Sequence, residues 1–163
     1  MSLLEFILER RFNAPRELVW RSWTEPDLLS RWYGPGVETV IHKLEVQPGG
    51  LWLNEMKYGG ASHYQRVEFK EVARPEKLVW LHSVSDENWR VISNPMMPDW
   101  PRVLLTTVIF DQDGDQTDVR LVWTPHEASR AEIDCFAGAI SGLDMGWGKG
   151  MDVLAKLLEE LQG

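Results

Sequence analysis

From Ser129 to the C-terminus the apolar residues keep one rhythm. Ile133, Phe136, Ala137, Ile140, Leu143, Trp147, Met151, Leu154, Leu158 and Leu161 follow one another at steps of one, three or four, which is the spacing of one face of an α-helix. Ser129 and Glu132 have the capping-box form that opens such a helix. The pattern predicts a single helix running from there to the end, about 50 Å long at 1.5 Å per residue. A helix of that length with one apolar face has to lie on an equally long apolar surface. The preceding residues must supply it.

They read as strands. Residues 3–12 alternate, with Phe6, Leu8 and Phe12 on one face. "NAPRELVWRSWTEPDLLSRWYGP" then reads as two short helices, the first capped by Asn13 with Pro15 just inside it, the second capped by Thr24 and ended by Gly34-Pro35. From residue 37 the period becomes two. "VETVIHKLEV" and "LWLNEMKY" flank the turn "QPGG", and "HYQRVEFKEV" and "LVWLHSVS" flank "ARPEK". "VLLTTVIFD" and "TDVRLVWT" close a last hairpin on "QDGDQ". Between them, residues 86–102 hold three prolines and two tryptophans and read as a long loop. It is either a lid or a loop packed on itself. The order is strand, two short helices, a six-strand antiparallel run and a long helix. This is an α+β fold in one domain, 1–163, with a curved sheet facing one helix. A bent sheet and a single helix rarely fill the space between them, so a cavity is expected.

Within the helix lies "GLDMGWGKGM", which imitates a phosphate loop. The Walker pattern fails because Leu143 stands where its first glycine belongs and Gly150 where its Ser or Thr belongs. The dinucleotide fingerprint fails at Met151, and a helix rather than a strand leads in. Gly138, Gly142, Gly146 and Gly150 are instead spaced by four. They form a ridge without side chains that either admits another backbone or leaves space beside the helix, at about 1 kcal/mol each against alanine.

Composition narrows the function. Lys and Arg number 17 against 25 Asp and Glu, a formal charge of −8, which argues against nucleic acid as a partner. The single Cys135 makes no internal disulfide, and no Cys/His spacing resembles a metal site. The N-terminus is too charged for a signal peptide, and no apolar run reaches membrane-spanning length. A cytoplasmic protein without membrane insertion is expected, and a homodimer stays open. Nine tryptophans are the anomaly; such large flat side chains form either core or the wall of a site for flat apolar molecules.

Period two puts Trp52, Asn54 and Met56 on one strand face, and Trp80 with His82 on another. Trp147 falls on the helix's apolar stripe, and so does Asp144, an acid needing a partner there. The wall candidates are Trp52, Trp80, Trp123, Phe136, Ile140 and Trp147, with Asn54, His63, His82 and Asp144 as polar anchors. The four histidines are scattered and assemble no metal site. No catalytic motif is readable, so an enzyme would have to work through lone polar residues such as Asn54, His63, Gln65, His82 or Asp144.

In order along the chain, "RRFNAPRELVWRSWTEPDLLSRWYGP", "QPGGLW", "RPEKLVW", "TTVIFDQDGDQTDVRL" and "GWGKGMDVLAKLLEEL" resemble the homologues of the activator of the 90-kDa heat-shock protein ATPase. That family belongs to the SRPBCC superfamily, with the helix-grip fold of the birch pollen allergen and the START domains. The resemblance covers nearly the whole chain. Ala14, Pro15, Val19, Trp20, Trp32, Gly34, Pro35, Pro48, Gly49, Gly50, Trp52, Gly146 and Trp147 stand at its recurrent positions. It implies a seven-strand antiparallel sheet gripping the long helix with a pocket between. Glu45 stands where many relatives have Asp. The co-chaperone that names the family carries a further N-terminal domain that this sequence lacks, so the heat-shock ATPase is not the expected partner. The superfamily binds lipids, hormones and polyketides, and a few members catalyse. The expected function is therefore to bind a small apolar molecule, lipid-like or aromatic, without a cofactor. A cyclase or hydrolase acting on a ring in the same cavity is the alternative, and a co-chaperone-type interaction the third reading.

Overall fold

Alternating residues that place one apolar face inward are what the sheet is built from. In the computed structural model, which describes residues 4–163, seven antiparallel strands stand in the order β1-β7-β6-β5-β4-β3-β2. They are β1 (Phe6–Phe12), β2 (Glu38–Leu44), β3 (Leu51–Tyr58), β4 (Ala61–Ala73), β5 (Lys77–Ser85), β6 (Leu104–Asp113) and β7 (Gln116–Pro125). Leu3, the first residue of the expected opening strand, lies outside the described residues. The strands from β2 to β7 pair in chain order, and β1 closes on β7 with Phe6 opposite Trp123. On the inner face Trp52, Phe69, Trp80, Val108, Phe110 and Leu121 are all buried. Each such side chain contributes roughly 1.5–3 kcal/mol by leaving water.

Helices α1 (Arg16–Thr24) and α2 (Pro26–Trp32) bridge β1 and β2. Neither has a side-chain cap, so Asn13 and Thr24 do not play that part. Pro15 and Glu25 hold the cap positions in extended conformation, and Pro26 opens α2, where its missing N–H is no loss. Thr24 spends its hydroxyl on the Trp20 carbonyl. Trp20, Trp23, Leu29 and Trp32 are buried, and the Trp32 indole donates to the Ser22 carbonyl at 2.8 Å, locking the two helices together. At the hairpin between β2 and β3, only glycine fits at position 50. A Cβ there would lie 2.1 Å from the Glu45 carbonyl oxygen.

The long C-terminal helix is present, with one irregularity. It runs as α3 (Arg130–Ala139), a 3-10 turn (Ile140–Gly142) and α4 (Leu143–Gln162). The capping box holds as expected: the Ser129 hydroxyl accepts the Glu132 N–H, and the Glu132 carboxylate accepts the Ser129 N–H. The 3-10 turn falls where Gly138, Ser141 and Gly142 lower helix propensity, so nothing local resists the tighter winding. Beyond it Met151, Leu154, Leu157 and Leu158 are buried against the sheet and α2. No described helix is long and apolar enough to cross a membrane.

The connection from β5 to β6 is irregular, as its prolines imply. Trp89 packs edge-on against Tyr64 and tilted against His42, and Trp100 packs against Phe136, with ring centroids 5.4, 5.4 and 5.6 Å apart.

Candidate functional site

Below the first turns of α4 the core is incomplete. A cavity of about 410 Å³ opens between the sheet's inner face, the corner after α2 and the start of α4. Strands β3, β4, β5 and β7 bring Met56, Gln65, His82 and Trp123 to its floor. Trp32 and Tyr33 form one side, where α2 ends and the chain turns through Gly34-Pro35. Gly142, Leu143, Gly146, Trp147 and Gly150 form the helix side, with Lys149 at the mouth.

Glycine determines how much space there is. A Cβ built on Gly142 or Gly146 would meet nothing within 4 Å, while one on Gly150 would only just touch Trp32 and Pro35, at 3.9 Å. Within the chain, then, no other backbone packs against Gly142 or Gly146, and there is room beside them. Aromatic rings line that room. Trp147 lies nearly parallel to Trp23 with centroids 6.3 Å apart, and it meets Trp123 edge-on at 5.5 Å. Tyr33 stands edge-on to both Trp52 and Trp147.

The floor is polar without being charged. Burial pulls the His82 imidazole down to about 4, so the ring is neutral at pH 7. Its plane lies 5.5 Å from that of Trp123, measured between centroids. Burial likewise pushes the Tyr33 hydroxyl above its ordinary range, and that hydroxyl donates to Gln65 Oε1 at 3.4 Å. Several buried polar atoms have no partner within the protein: His82 Nε2, Trp123 Nε1, Thr106 Oγ1 and both amide atoms of Asn54. Strand register sets Thr106 opposite Trp123 at one part of the sheet and Asn54 opposite Gln65 at another. Polar groups so deep in a protein are ordinarily paired.

Of the ten residues singled out by sequence, the structure brings His82, Trp123 and Trp147 to the cavity. Trp52 and Trp80 are buried behind its wall and belong to the core, and Asn54 lies beside them, 1 % exposed. Phe136 is buried under Trp100, and Ile140 packs on the core without lining the cavity. His63 stacks face to face on Tyr58 at 4.0 Å, toward the hairpin end of the sheet. Asp144 is exposed and lines nothing. Counted at about 100° per residue, Asp144 stands about 80° from Leu154, the middle of the buried face, whereas Trp147 stands about 20° from it. Sequence missed Tyr33 and the Gly34-Pro35 corner, which read only as the end of a helix. Gln65 was legible as a lone polar residue but not as part of the floor. No residue of 86–102 lines the cavity, so the loop does not cover it. Among the described residues no three His, Cys, Asp or Glu side chains gather as a metal site would require.

Solved structures share this architecture. A crystal structure of a Mycobacterium smegmatis protein superposes with a TM-score of 0.77 at 22% identity, over 96% of this chain and 91% of that one. A solution structure of an Arthrobacter aurescens protein gives 0.81 at 22% identity, over 97% and 87%. A crystal structure of a Rhodobacter sphaeroides protein gives 0.78 at 19% identity, over 98% and 95%. These likenesses establish the fold. No curated protein matches the sequence. The model of the Activator of Hsp90 ATPase homolog 1-like proteins matches residues 13–159. With the sheet, the gripped helix and the matched segment in agreement, the chain belongs to that family.

Proposed function

We propose that the protein binds a small, largely apolar molecule in the cavity under α4. One observation carries this reading: a cavity of about 410 Å³ opens beneath the first turns of α4, walled chiefly by the rings of Trp32, Tyr33, Trp123 and Trp147 and by glycine. Gly146 stands inside α4, where alanine would favour the helix by up to about 1 kcal/mol. Glycine there is poor for the helix and good for the cavity. At about 410 Å³ the space falls within the ~300–1,000 Å³ of small-molecule sites. The rings of Tyr33, Trp123 and Trp147 offer flat apolar walls.

The binding reading is favoured over an enzyme acting on a ring. General acid–base work at neutral pH asks for groups that titrate near 7. The His82 ring is held far below that and the Tyr33 hydroxyl above it.

Tryptophan fluorescence tests the proposal, because Trp123 and Trp147 line the site. Titration with aromatic and lipid-like compounds should give saturable changes for at least one class. Gly146→Leu should fold as well as the parent and weaken that binding at least tenfold, since its side chain would occupy the cavity. No saturable response from any compound would overturn the reading, as would full affinity in Gly146→Leu.

A further inference from the structure

Charge is distributed along the cavity in one direction. Its floor carries none, since Met56, Gln65 and Trp123 are uncharged residues and burial keeps the His82 ring neutral at pH 7. The one charged residue among those that line it is Lys149, exposed at the mouth. A lysine so placed lays its apolar stem along the wall and keeps its ammonium in water. Nothing in the lining neutralises it. No carboxylate lines the cavity, and among the described residues no acid pairs with Lys149. The acids nearest to it along α4 are turned away or engaged. Asp144 stands about 140° from it around the helix, and Asp152 is held by Arg10 at 2.7 Å. Salt screens the chain's overall charge of −8 beyond about 8 Å, so the unpaired ammonium sets the sign at the mouth.

We propose that the ligand is an aromatic acid, bound with its rings inward and its single negative charge at the mouth beside the Lys149 ammonium. This deepens the binding function proposed above and rests on it. The rings of Tyr33, Trp123 and Trp147 receive its flat body. Its charge stays hydrated at the mouth, whereas at the floor it would lose that hydration with no counter-ion in return. A cation of the same shape meets the Lys149 ammonium and finds no carboxylate. Because the pair is exposed, it adds a severalfold preference and not a large one. Its main consequence is the direction in which the ligand lies.

Equilibrium dialysis of the whole chain against three probes with one ring system separates these cases. The probes are 2-naphthylacetate, 2-naphthylacetamide and 2-(2-naphthyl)ethylammonium, which differ in the charge of the outer end. At low ionic strength the acetate should bind about three- to fivefold more tightly than the amide, and the ammonium more weakly than the amide. Lys149→Gln should make acetate and amide equal, and Lys149→Glu should reverse the order of the two ions. Both variants should keep the parent's affinity for the amide, and circular dichroism and melting temperature show that each is folded. Equal binding of acetate and amide by the parent, or a preference for the ammonium, overturns the inference and leaves the cavity as a binding site. An acetate preference that persists in Lys149→Glu overturns it too, because the charge then sits elsewhere. Binding of none of the three overturns the inference, and if the tryptophan titration above is also silent, the reading beneath it falls as well.

Discussion

At pH 7 the His82 ring is neutral because the sheet's inner face removes it from water and no lining residue offers a carboxylate. The unfolded chain takes up the proton near pH 6.5, while the folded protein refuses it until about pH 4. Between those values the unfolded state binds more protons, so stability falls as the pH is lowered through that window. The contribution is intact above the upper value and lost by the lower one, on the order of 3 kcal/mol in all. Urea unfolding of the parent and of His82→Leu from pH 7 to pH 4 should show it. The parent should lose that much more stability than the variant over the window, and parallel profiles would mean that His82 titrates as it does when exposed. That His82 shares a strand face with Trp80 was legible from period two, and both are buried. The part played by Tyr33 was not legible, because it comes from the chain turning after α2, and a turn direction leaves no periodic trace. Asp144 was misplaced because a stripe read on a wheel has no sharp edge.

Strands and hairpins followed from their turn residues, and the helix from its apolar spacing, since both signals are local. The 3-10 turn at Ile140–Gly142 did not, because apolar steps of three and four fit either winding. Helix starts divide in the same way. Asn13 and Thr24 are good capping residues that the backbone does not use, whereas Ser129 and Glu132 satisfy each other reciprocally. Glu132 also accepts the Arg102 N–H at 2.7 Å, which ties the start of α3 to the end of the 86–102 loop. These hydrogen bonds hold its carboxyl below the ordinary range. Ser129→Ala should therefore cost about 1 kcal/mol of stability, as lost caps typically do. Thr24→Ala removes no cap and should cost less. Urea denaturation of the two variants compares them directly, and an equal loss from both would show that the box adds nothing.

The cavity belongs to the molecule and to no element within it. It requires the bend of the sheet, the corner after α2 and two helix positions without side chains, and sequence patterning reports on none of these jointly. It also divides α4 into two unequal parts. From Gly150 onward the helix lies on the sheet and α2 through Met151, Leu154, Leu157 and Leu158, all buried. From Leu143 to Lys149 it lies over the cavity, held chiefly by Trp147 and Leu143. Three glycines of the C-terminal helix here, Gly142, Gly146 and Gly148, add no packing of their own. Local opening should thus be easiest over the cavity, where buried contacts are fewest. A molecule filling that space adds the missing contacts and stabilises the folded state by mass action, by about 2.7 kcal/mol at a hundredfold excess over Kd. Amide hydrogen exchange reads both effects. Without a ligand, the amides of residues 143–149 should exchange much faster than those of 151–158. With a saturating aromatic ligand, protection should rise first and most in 143–149, because there the ligand adds contacts to the lining segment that has the fewest of its own. A uniform rise along the chain would place the ligand's effect on global unfolding only. A rise confined to another segment would place the ligand elsewhere and take the cavity under α4 out of the function.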